Sequence, residues 1–246
     1  MSKQLLLGDE AIAQAALDAG LRVYMPIPAL LLRKSPNISD GTDTAEKNIH
    51  NRWCSNEKTA MEAALGMSFA GKRSLACMKH VGMNVAADCF INSAITGIKG
   101  GLIVIAADDP SMHSSQNEQD SRFYGDFSLI PMYEPSNQQE AYDMVYNGFN
   151  FSEQTGEPIL MRMVTRLAHS RSGVERKEQQ PQNEISFSET RVSSSSCRVM
   201  HANVTKHCCN ARTNLSKLLK TPLTTNIPTA PTKSWVSWHA ASATTT

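Results

Sequence analysis

Helix-like and strand-like patterns of apolar residues alternate along the first two thirds of the chain. Residues 9–19 open with two acidic residues, place apolar side chains at helical spacing and end at Gly20, which predicts a helix. The same criteria predict further helices over residues 56–69, 85–98 and 138–155. Short apolar runs between them predict strands over residues 21–24, 74–78, 102–107, 131–134 and 158–164.

The order of these elements indicates the fold class. Residues 102–107 (LIVIAA) form a continuous apolar run, which is typical of a central parallel strand covered on both faces. Strands that alternate with helices form βαβ units, so we expect an α/β fold with a parallel sheet flanked by helices. Ligands of such sheets bind beyond the carboxyl ends of the strands. The polar loops that follow the strands are therefore where chemistry is expected.

Two stretches depart from this pattern. Residues 25–38 (MPIPALLLRKSPNI) contain three prolines and no clear period, which argues against a helix. From residue 190 onward there is no Asp, Glu, Gly, Phe or Tyr, and the run carries seven Lys or Arg. Such a run cannot bury enough apolar area to offset chain entropy, so a disordered tail is expected. A shifted reading frame in the gene would explain both stretches, and a basic arm for nucleic acid is the alternative for the tail.

The predicted organisation is an α/β domain over residues 1–175 with an aberrant segment at 25–38. A linker over 176–188 and the tail over 189–246 follow. The formal net charge of +1 argues against a nucleic-acid-binding protein held by bulk electrostatics. No apolar run approaches the roughly 20 residues that a membrane span needs, and the first residues do not have the pattern of a signal peptide. A cytoplasmic location is expected.

The six cysteines contain no pair with the spacing of a zinc or iron–sulfur site. Free thiols are therefore expected, and no metal site is assigned. Asp108 and Asp109 are adjacent carboxylates that could suggest a metal, but the sequence specifies no further ligands.

Three polar loops stand out as places for chemistry. The first, residues 53–58 (WCSNEK), opens a predicted helix, and the second, residues 79–84 (KHVGMN), follows a strand. The third, residues 108–122 (DDPSMHSSQNEQDSR), follows the central strand. Loops longer than roughly 12–15 residues are usually functional or disordered, which draws attention to the third.

Together these loops resemble a known enzyme family. The matching strings are WCSNEKTAMEAALGMSFAGKRSLACMKHVGMNVAAD, GIKGGLIVIAADDPSMHSSQNEQDSRFYGDF and TRLAHSRSGV. They are similar to the thiamine-diphosphate-dependent indolepyruvate ferredoxin oxidoreductases, specifically to the pyrimidine-binding domain at the amino end of the large subunit. The likeness covers residues 3–23 and 44–188.

The resemblance implies roles for individual side chains. Glu57 matches the glutamate that hydrogen-bonds the aminopyrimidine ring of the cofactor, and His80 is a candidate for proton transfer near the reacting carbon. The residues expected to bind the cofactor are Asn56, Val81, Gly82 and Asn84. Those expected to line a substrate-facing or subunit-contact loop are Asp108, Asp109, His113, Gln116, Asn117 and Arg122.

Structural alternatives exist for four of these residues. Glu57 is also favourable in the first turn of a helix because of the helix dipole. His80 could be a satisfied structural histidine, and Gly82 a plain turn residue. Arg122 could hold a substrate carboxylate bidentately or form a surface salt bridge.

The chain also departs from the family pattern. Residues 25–38 replace a turn like YPGTPST, and neither the diphosphate-binding domain with its GDG motif nor the clustered cysteines are found. The resemblance therefore implies that Mg²⁺ and the iron–sulfur clusters belong to a missing part of a truncated, frameshifted enzyme. The full enzyme would work with a beta subunit, ferredoxin, coenzyme A and an aryl pyruvate, and it is expected to be a homo-oligomer.

Three functions are compatible with these observations. The first is part of a 2-oxoacid:ferredoxin oxidoreductase that supplies the pyrimidine half of a shared site and is inactive alone. The second is a non-catalytic assembly module that needs a separate subunit with the diphosphate domain. The third, a basic-tailed nucleic-acid binder, predicts steep salt dependence of binding. Fold alone does not choose among them.

Overall fold

A computed structural model describes residues 3–27 and 49–186. The strands are β1 Lys3–Leu7, β2 Val23–Pro26, β3 His50–Asn51, β4 Ser74–Lys79, β5 Leu102–Asp108, β6 Met132–Tyr133, β7 Ile159–Val164 and β8 Arg171–Glu175. Six of them form one sheet in the order β3-β2-β4-β5-β7-β6, and every neighbouring pair is parallel. The remaining two, β1 and β8, pair antiparallel in a separate ladder.

The helices that connect these strands cover both faces of the sheet. They are α1 Gly8–Asp18, α2 Glu57–Phe69, α3 His80–Thr96, α4 Arg122–Ser128, α5 Gln138–Thr155 and α6 Thr165–His169, with a 3-10 turn at Pro110–Met112. The predicted α/β fold with a parallel sheet flanked by helices is therefore confirmed. No helix in the described ranges is both long and apolar enough to cross a membrane.

The central strand β5 divides the apolar core into two layers. Ile103 and Ile105 point to the face covered by α1 and α5, while Leu102 and Val104 point to the face covered by α2 and α3. All the residues of β5 are buried, as the continuous apolar run predicts. Full burial of one large apolar side chain in either layer stabilises the fold by roughly 1.5–3 kcal/mol.

Local signals explain why the helices begin and end where they do. The side chain of Asn56 accepts a hydrogen bond from the Thr59 N–H at the start of α2, and Asn137 does the same for the Glu140 N–H at the start of α5. Helix α5 ends at Gly156, which has φ of 71° and ψ of 22°. Glycine adopts this left-handed conformation without steric cost.

Helix α3 differs from the expectation at its start. It begins at His80, five residues before the predicted position, so residues 80–84 form its first turns rather than a loop. Lys79 is its N-cap, with the extended backbone that this position requires. Gly82 and Asn84 read as loop residues in the sequence because both have low helix propensity.

Residues 176–186 have no helix or strand, yet they lie against the rest of the domain. Arg176 forms an ion pair with the buried Asp18, with Nη2 at 2.8 Å from Oδ1. Arg73 donates from Nη1 to the side-chain oxygen of Gln180 at 2.6 Å. The aberrant segment beyond residue 27 and the tail beyond residue 186 lie outside the described residues.

Candidate active site

Parallel strands bring the polar loops to one edge of the sheet. Strands β2, β4, β5 and β7 end at Pro26, Lys79, Asp108 and Val164, and the register pairs Lys79 with Ala107 and Asp108 with Val164. The loops that leave these strands therefore meet at the carboxyl edge, where ligands of parallel sheets bind.

Glu57 is the first residue of α2 and is half-buried at this edge. Its position follows from Asn56, whose side-chain oxygen accepts from the Thr59 N–H at 2.8 Å and from the Thr59 hydroxyl at 3.0 Å. Asn56 is thus engaged in capping the helix, and its predicted contact with the cofactor stays a prediction.

The Glu57 side chain packs directly on Gly82 in the first turns of α3. A Cβ added to Gly82 would lie 2.5 Å from Glu57 Cγ and 2.8 Å from Glu57 Oε1. These distances are far below van der Waals contact, so a residue with a side chain at position 82 would displace the carboxyl group. The sequence predicted that Gly82 shapes a loop, and it is instead a helical residue that makes room for Glu57.

Within the described residues, the Glu57 carboxyl group accepts no hydrogen bond and forms no ion pair. Its neighbours on α2, Lys58 and Glu62, interact with each other at 3.9 Å. Val81 is half-buried beside it, and Asn84 is exposed and accepts a hydrogen bond from the Tyr124 hydroxyl.

His80 is fully buried and both of its ring nitrogens face backbone carbonyls. Nδ1 lies 3.2 Å from the Ala107 oxygen on β5, and Nε2 lies 3.0 Å from the Asn117 oxygen in the loop after β5. Both nitrogens thus have a backbone carbonyl as partner, and the proton-transfer role that the resemblance implies stays a prediction. His80 joins the central strand to the loop that follows it.

Several contacts hold that loop, residues 109–121, close to the sheet. Asp109 is buried, and its carboxylate accepts from the Ser114 N–H at 2.7 Å and from the Thr165 hydroxyl at 3.4 Å. Burial opposes ionisation, yet these hydrogen bonds, led by Ser114, hold the pKa of Asp109 below its usual value. Lys79 Nζ donates to the Ser114 carbonyl at 2.8 Å from the other side.

The same loop contains backbone strain near its tip. Ser111 and Met112 both have positive φ, at 68° and 54°, in a region that favours glycine. Ser111 N–H donates to a carboxylate oxygen of Glu118 at 3.1 Å, which holds the turn.

The remaining loop residues named from the sequence divide into two groups. His113, Gln116 and Asn117 are exposed, so they are accessible to a substrate or a subunit, and Asn117 contributes its backbone carbonyl to His80. Asp108 is buried at the end of β5 and accepts from the Ser121 N–H at 3.1 Å.

Asp108 also binds Arg162, a residue that the sequence analysis did not single out. Arg162 Nε lies 2.5 Å from Asp108 Oδ2, and Arg162 Nη1 donates to Glu134. Burial disfavours the charged guanidinium, but the hydrogen bond that Arg162 donates to Asp108 leads a set of contacts that raise the pKa of Arg162. A charged residue inside the otherwise apolar strand 159–164 was the available signal.

Arg122 begins α4 at the far end of the loop and is partly exposed. It donates to Asp120 from Nε at 2.9 Å and from Nη2 at 2.5 Å, and these bonds lower the pKa of the Asp120 carboxyl. Arg122 Nη1 lies 3.7 Å from Glu134, beyond hydrogen-bond distance. The salt-bridge alternative is therefore present in the structure, and the Nη1 edge of the guanidinium has only the long contact with Glu134.

Chemically, this edge offers the Glu57 carboxyl group, which has no partner among the described residues, and a guanidinium at Arg122 whose Nη1 has no close acceptor there. No group of three or more His, Cys, Asp or Glu able to hold a metal ion occurs within residues 3–27 and 49–186. Cys54, Cys77 and Cys89 are free thiols.

Comparison with known proteins finds relatives of this chain. The sequence is 45% identical over 190 residues to the indolepyruvate oxidoreductase subunit IorA of Archaeoglobus fulgidus, a match that covers 75% of this chain and 30% of the relative. The IorA subunit of Pyrococcus horikoshii is 46% identical over 174 residues, covering 70% of this chain and 26% of the relative. The chain is homologous to part of the IorA subunit. It spans less than a third of the length of these IorA relatives, and no family model matches it.

A solved structure supports the fold independently of the IorA relatives. The 2-oxoglutarate:ferredoxin oxidoreductase from Magnetococcus marinus superimposes with a TM-score of 0.67 and covers 88% of this chain and 45% of that chain. The sequence identity is 13%, so the likeness concerns the fold. The resemblance drawn from the sequence strings is confirmed by the IorA matches.

Proposed function

We propose that this chain supplies the pyrimidine half of a thiamine diphosphate site in a cytoplasmic 2-oxoacid:ferredoxin oxidoreductase that acts on indolepyruvate and related aryl pyruvates. The observation that carries the proposal is the Glu57 carboxyl group, free of partners among the described residues and seated on Gly82 at the carboxyl edge of the sheet. Homology to IorA supports the substrate class.

The residues present fit an aminopyrimidine ring. Because Gly82 has no side chain, the Glu57 carboxyl group can lie against α3 at the carboxyl edge, and it has no competing partner in the described part of the chain. When bound, thiamine diphosphate supplies the carbon nucleophile for the 2-oxo group of the substrate. Mg²⁺, iron–sulfur clusters, the beta subunit, ferredoxin and coenzyme A belong to the rest of the enzyme.

The chain's own residues have distinct tasks in this proposal. Glu57 binds the ring nitrogen N1′ of the aminopyrimidine through its carboxyl group, and the two groups share the proton of that hydrogen bond. Arg122 binds the carboxylate of the 2-oxoacid through the edge that Asp120 leaves free. His80 holds the loop over the site through Ala107 and Asn117.

A titration of the purified chain tests the proposal. The probe is 4-amino-5-hydroxymethyl-2-methylpyrimidine, followed by the amide NMR shifts of Glu57 and Gly82. The substitution Glu57→Gln should weaken binding by about tenfold or more, because a hydrogen bond to a charged group contributes roughly 1.5–3 kcal/mol. Glu62→Gln, an exposed glutamate on the same helix, is the matched control and should leave the affinity unchanged.

Three outcomes would contradict the proposal. Absence of shifts at Glu57 and Gly82 at millimolar probe would remove the pyrimidine site. Equal affinity in the chain and in Glu57→Gln would remove the carboxyl group from it. Turnover of indolepyruvate by the purified chain alone would refute the half-site assignment, since we expect no activity without the remaining parts.

A further inference from the structure

Arg162 occupies an unusual position for a charged residue. It lies in β7, a strand of otherwise apolar residues, and its side chain is 12% exposed. Arg162 contacts carboxylates from three separate segments: Asp108 at the end of β5, Glu134 after β6, and Asp120 in the loop, whose Oδ1 lies 3.7 Å from Arg162 Nε. Burying a cation this deeply requires such partners.

Arg122 shares two of these three carboxylates. Asp120 is bound by Arg122 at 2.5 Å and lies 3.7 Å from Arg162. Glu134 is bound by Arg162 and lies 3.7 Å from Arg122. The cluster thus contains two guanidinium groups and three carboxylates. Of the two arginines, Arg162 is the one that binds Asp108.

The shared partners decide how much positive charge Arg122 can offer. While Arg162 pairs with Asp108 and Glu134, the strong partner of Arg122 is Asp120, and Arg122 Nη1 remains without a close acceptor among the described residues. If Arg162 lost its charge, Glu134 would have Arg122 as its remaining cation in the cluster. The formal net charge of the cluster would then change from −1 to −2, which disfavours an incoming anion.

We propose that Arg162 is a positioning residue, which keeps Arg122 available to the substrate carboxylate by pairing with Asp108 and Glu134. The inference rests on the proposed function, since it assumes that Arg122 binds the 2-oxoacid. It adds a residue that acts through charge balance rather than through contact with the substrate.

The test measures binding of phenylpyruvate, used as the aryl 2-oxoacid probe, to the purified chain. The readouts are calorimetric affinity and the Arg122 Nε–H resonance. The substitution Arg162→Gln should weaken binding by about tenfold. The double substitution Arg162→Gln with Glu134→Gln should restore most of the affinity, because it removes one carboxylate together with the cation. A purely structural role would not give this rescue.

A second variant keeps the inference testable if Arg162→Gln fails to fold. Glu134 is 44% exposed, so Glu134→Gln alone should fold, and it should tighten phenylpyruvate binding severalfold by leaving Arg162 more charge for Asp120. Unchanged affinity in Glu134→Gln would overturn the inference.

A variant of Arg122 separates the two levels of the proposal. Loss of binding in Arg122→Gln, together with no effect of Arg162→Gln or Glu134→Gln, would overturn the role of Arg162 and leave the proposed substrate contact intact. No effect of Arg122→Gln would overturn the substrate contact itself and the inference with it.

Discussion

Replacing Gly82 with alanine should separate the stability of α3 from the placement of Glu57. In the interior of an exposed helix, Gly→Ala stabilises by about 1 kcal/mol through helix propensity. At Gly82, however, the new Cβ would lie 2.5 Å from Glu57 Cγ and 3.0 Å from Glu57 Cδ. Overpacking of this kind costs roughly 1–3 kcal/mol, unless the Glu57 side chain rotates towards solvent and loses its contact with α3.

A matched control lies in the neighbouring helix. A Cβ added to Gly66 of α2 would have no heavy atom within 4 Å, so Gly66→Ala should gain the full helix-propensity stabilisation with no steric cost. For a domain of this size a gain of about 1 kcal/mol raises Tm by roughly 2–4 °C. Gly82→Ala should show no gain or a loss, because the steric cost offsets the propensity.

The assay combines thermal unfolding by circular dichroism with the aminopyrimidine titration. Gly82→Ala should remain folded and bind the pyrimidine at least about tenfold more weakly, since the displaced carboxyl group loses its hydrogen bond. A rise in Tm equal to that of Gly66→Ala, with unchanged pyrimidine affinity, would refute the packing argument.

Three further predictions concern other parts of the domain. Arg176→Gln should lower the unfolding free energy by about 1–3 kcal/mol, because it removes the charged partner of the buried Asp18. Lys3→Gln, which breaks the exposed pair with Glu175, should change the unfolding free energy by less than about 0.5 kcal/mol. Similar losses in the two variants would contradict the burial argument. Burial, aided by Glu62 and Asp88, raises the pKa of Cys89 to about 11. Alkylation of Cys89 by iodoacetamide, followed by peptide mass mapping, should therefore be slow at pH 8.5 and accelerate about tenfold per pH unit towards pH 11. A plateau of the alkylation rate near pH 9 would disprove this. Asn56→Ala should destabilise the chain by about 1 kcal/mol through loss of the helix cap, while Asn56→Asp should not. The pyrimidine affinity of Asn56→Ala, measured well below Tm, should be unchanged. A large drop in that affinity would instead support a direct contact of Asn56 with the cofactor.

The sequence predicted the elements whose signals are local. Helix α5 was predicted with its exact observed bounds, because Asn137 caps its start and Gly156 ends it. The central strand was evident from its continuous apolar run, since both faces are covered. The start of α3 was missed because Gly82 reads as a loop residue, whereas a glycine fits there because of the Glu57 side chain, 25 positions away in the sequence.

The candidate site was predictable only where it resembled a known pattern. Glu57 and Gly82 came from the matching strings, and the structure brings them into contact. Arg162 was missed because its partners Asp108, Asp120 and Glu134 come from three segments that the sheet topology brings together. Periodicity carries no information about such a meeting of distant charges.

The antiparallel ladder between β1 and β8 has a consequence for how the chain folds. It pairs Lys3 with Glu175 and Leu7 with Arg171, so the first described strand cannot pair before the last described strand has been synthesised. Contacts this distant in sequence incur a large loop-closure entropy and tend to form late. During synthesis, the apolar residues of β1 would remain exposed until most of the domain has left the ribosome, which makes this strand a natural early target for chaperones.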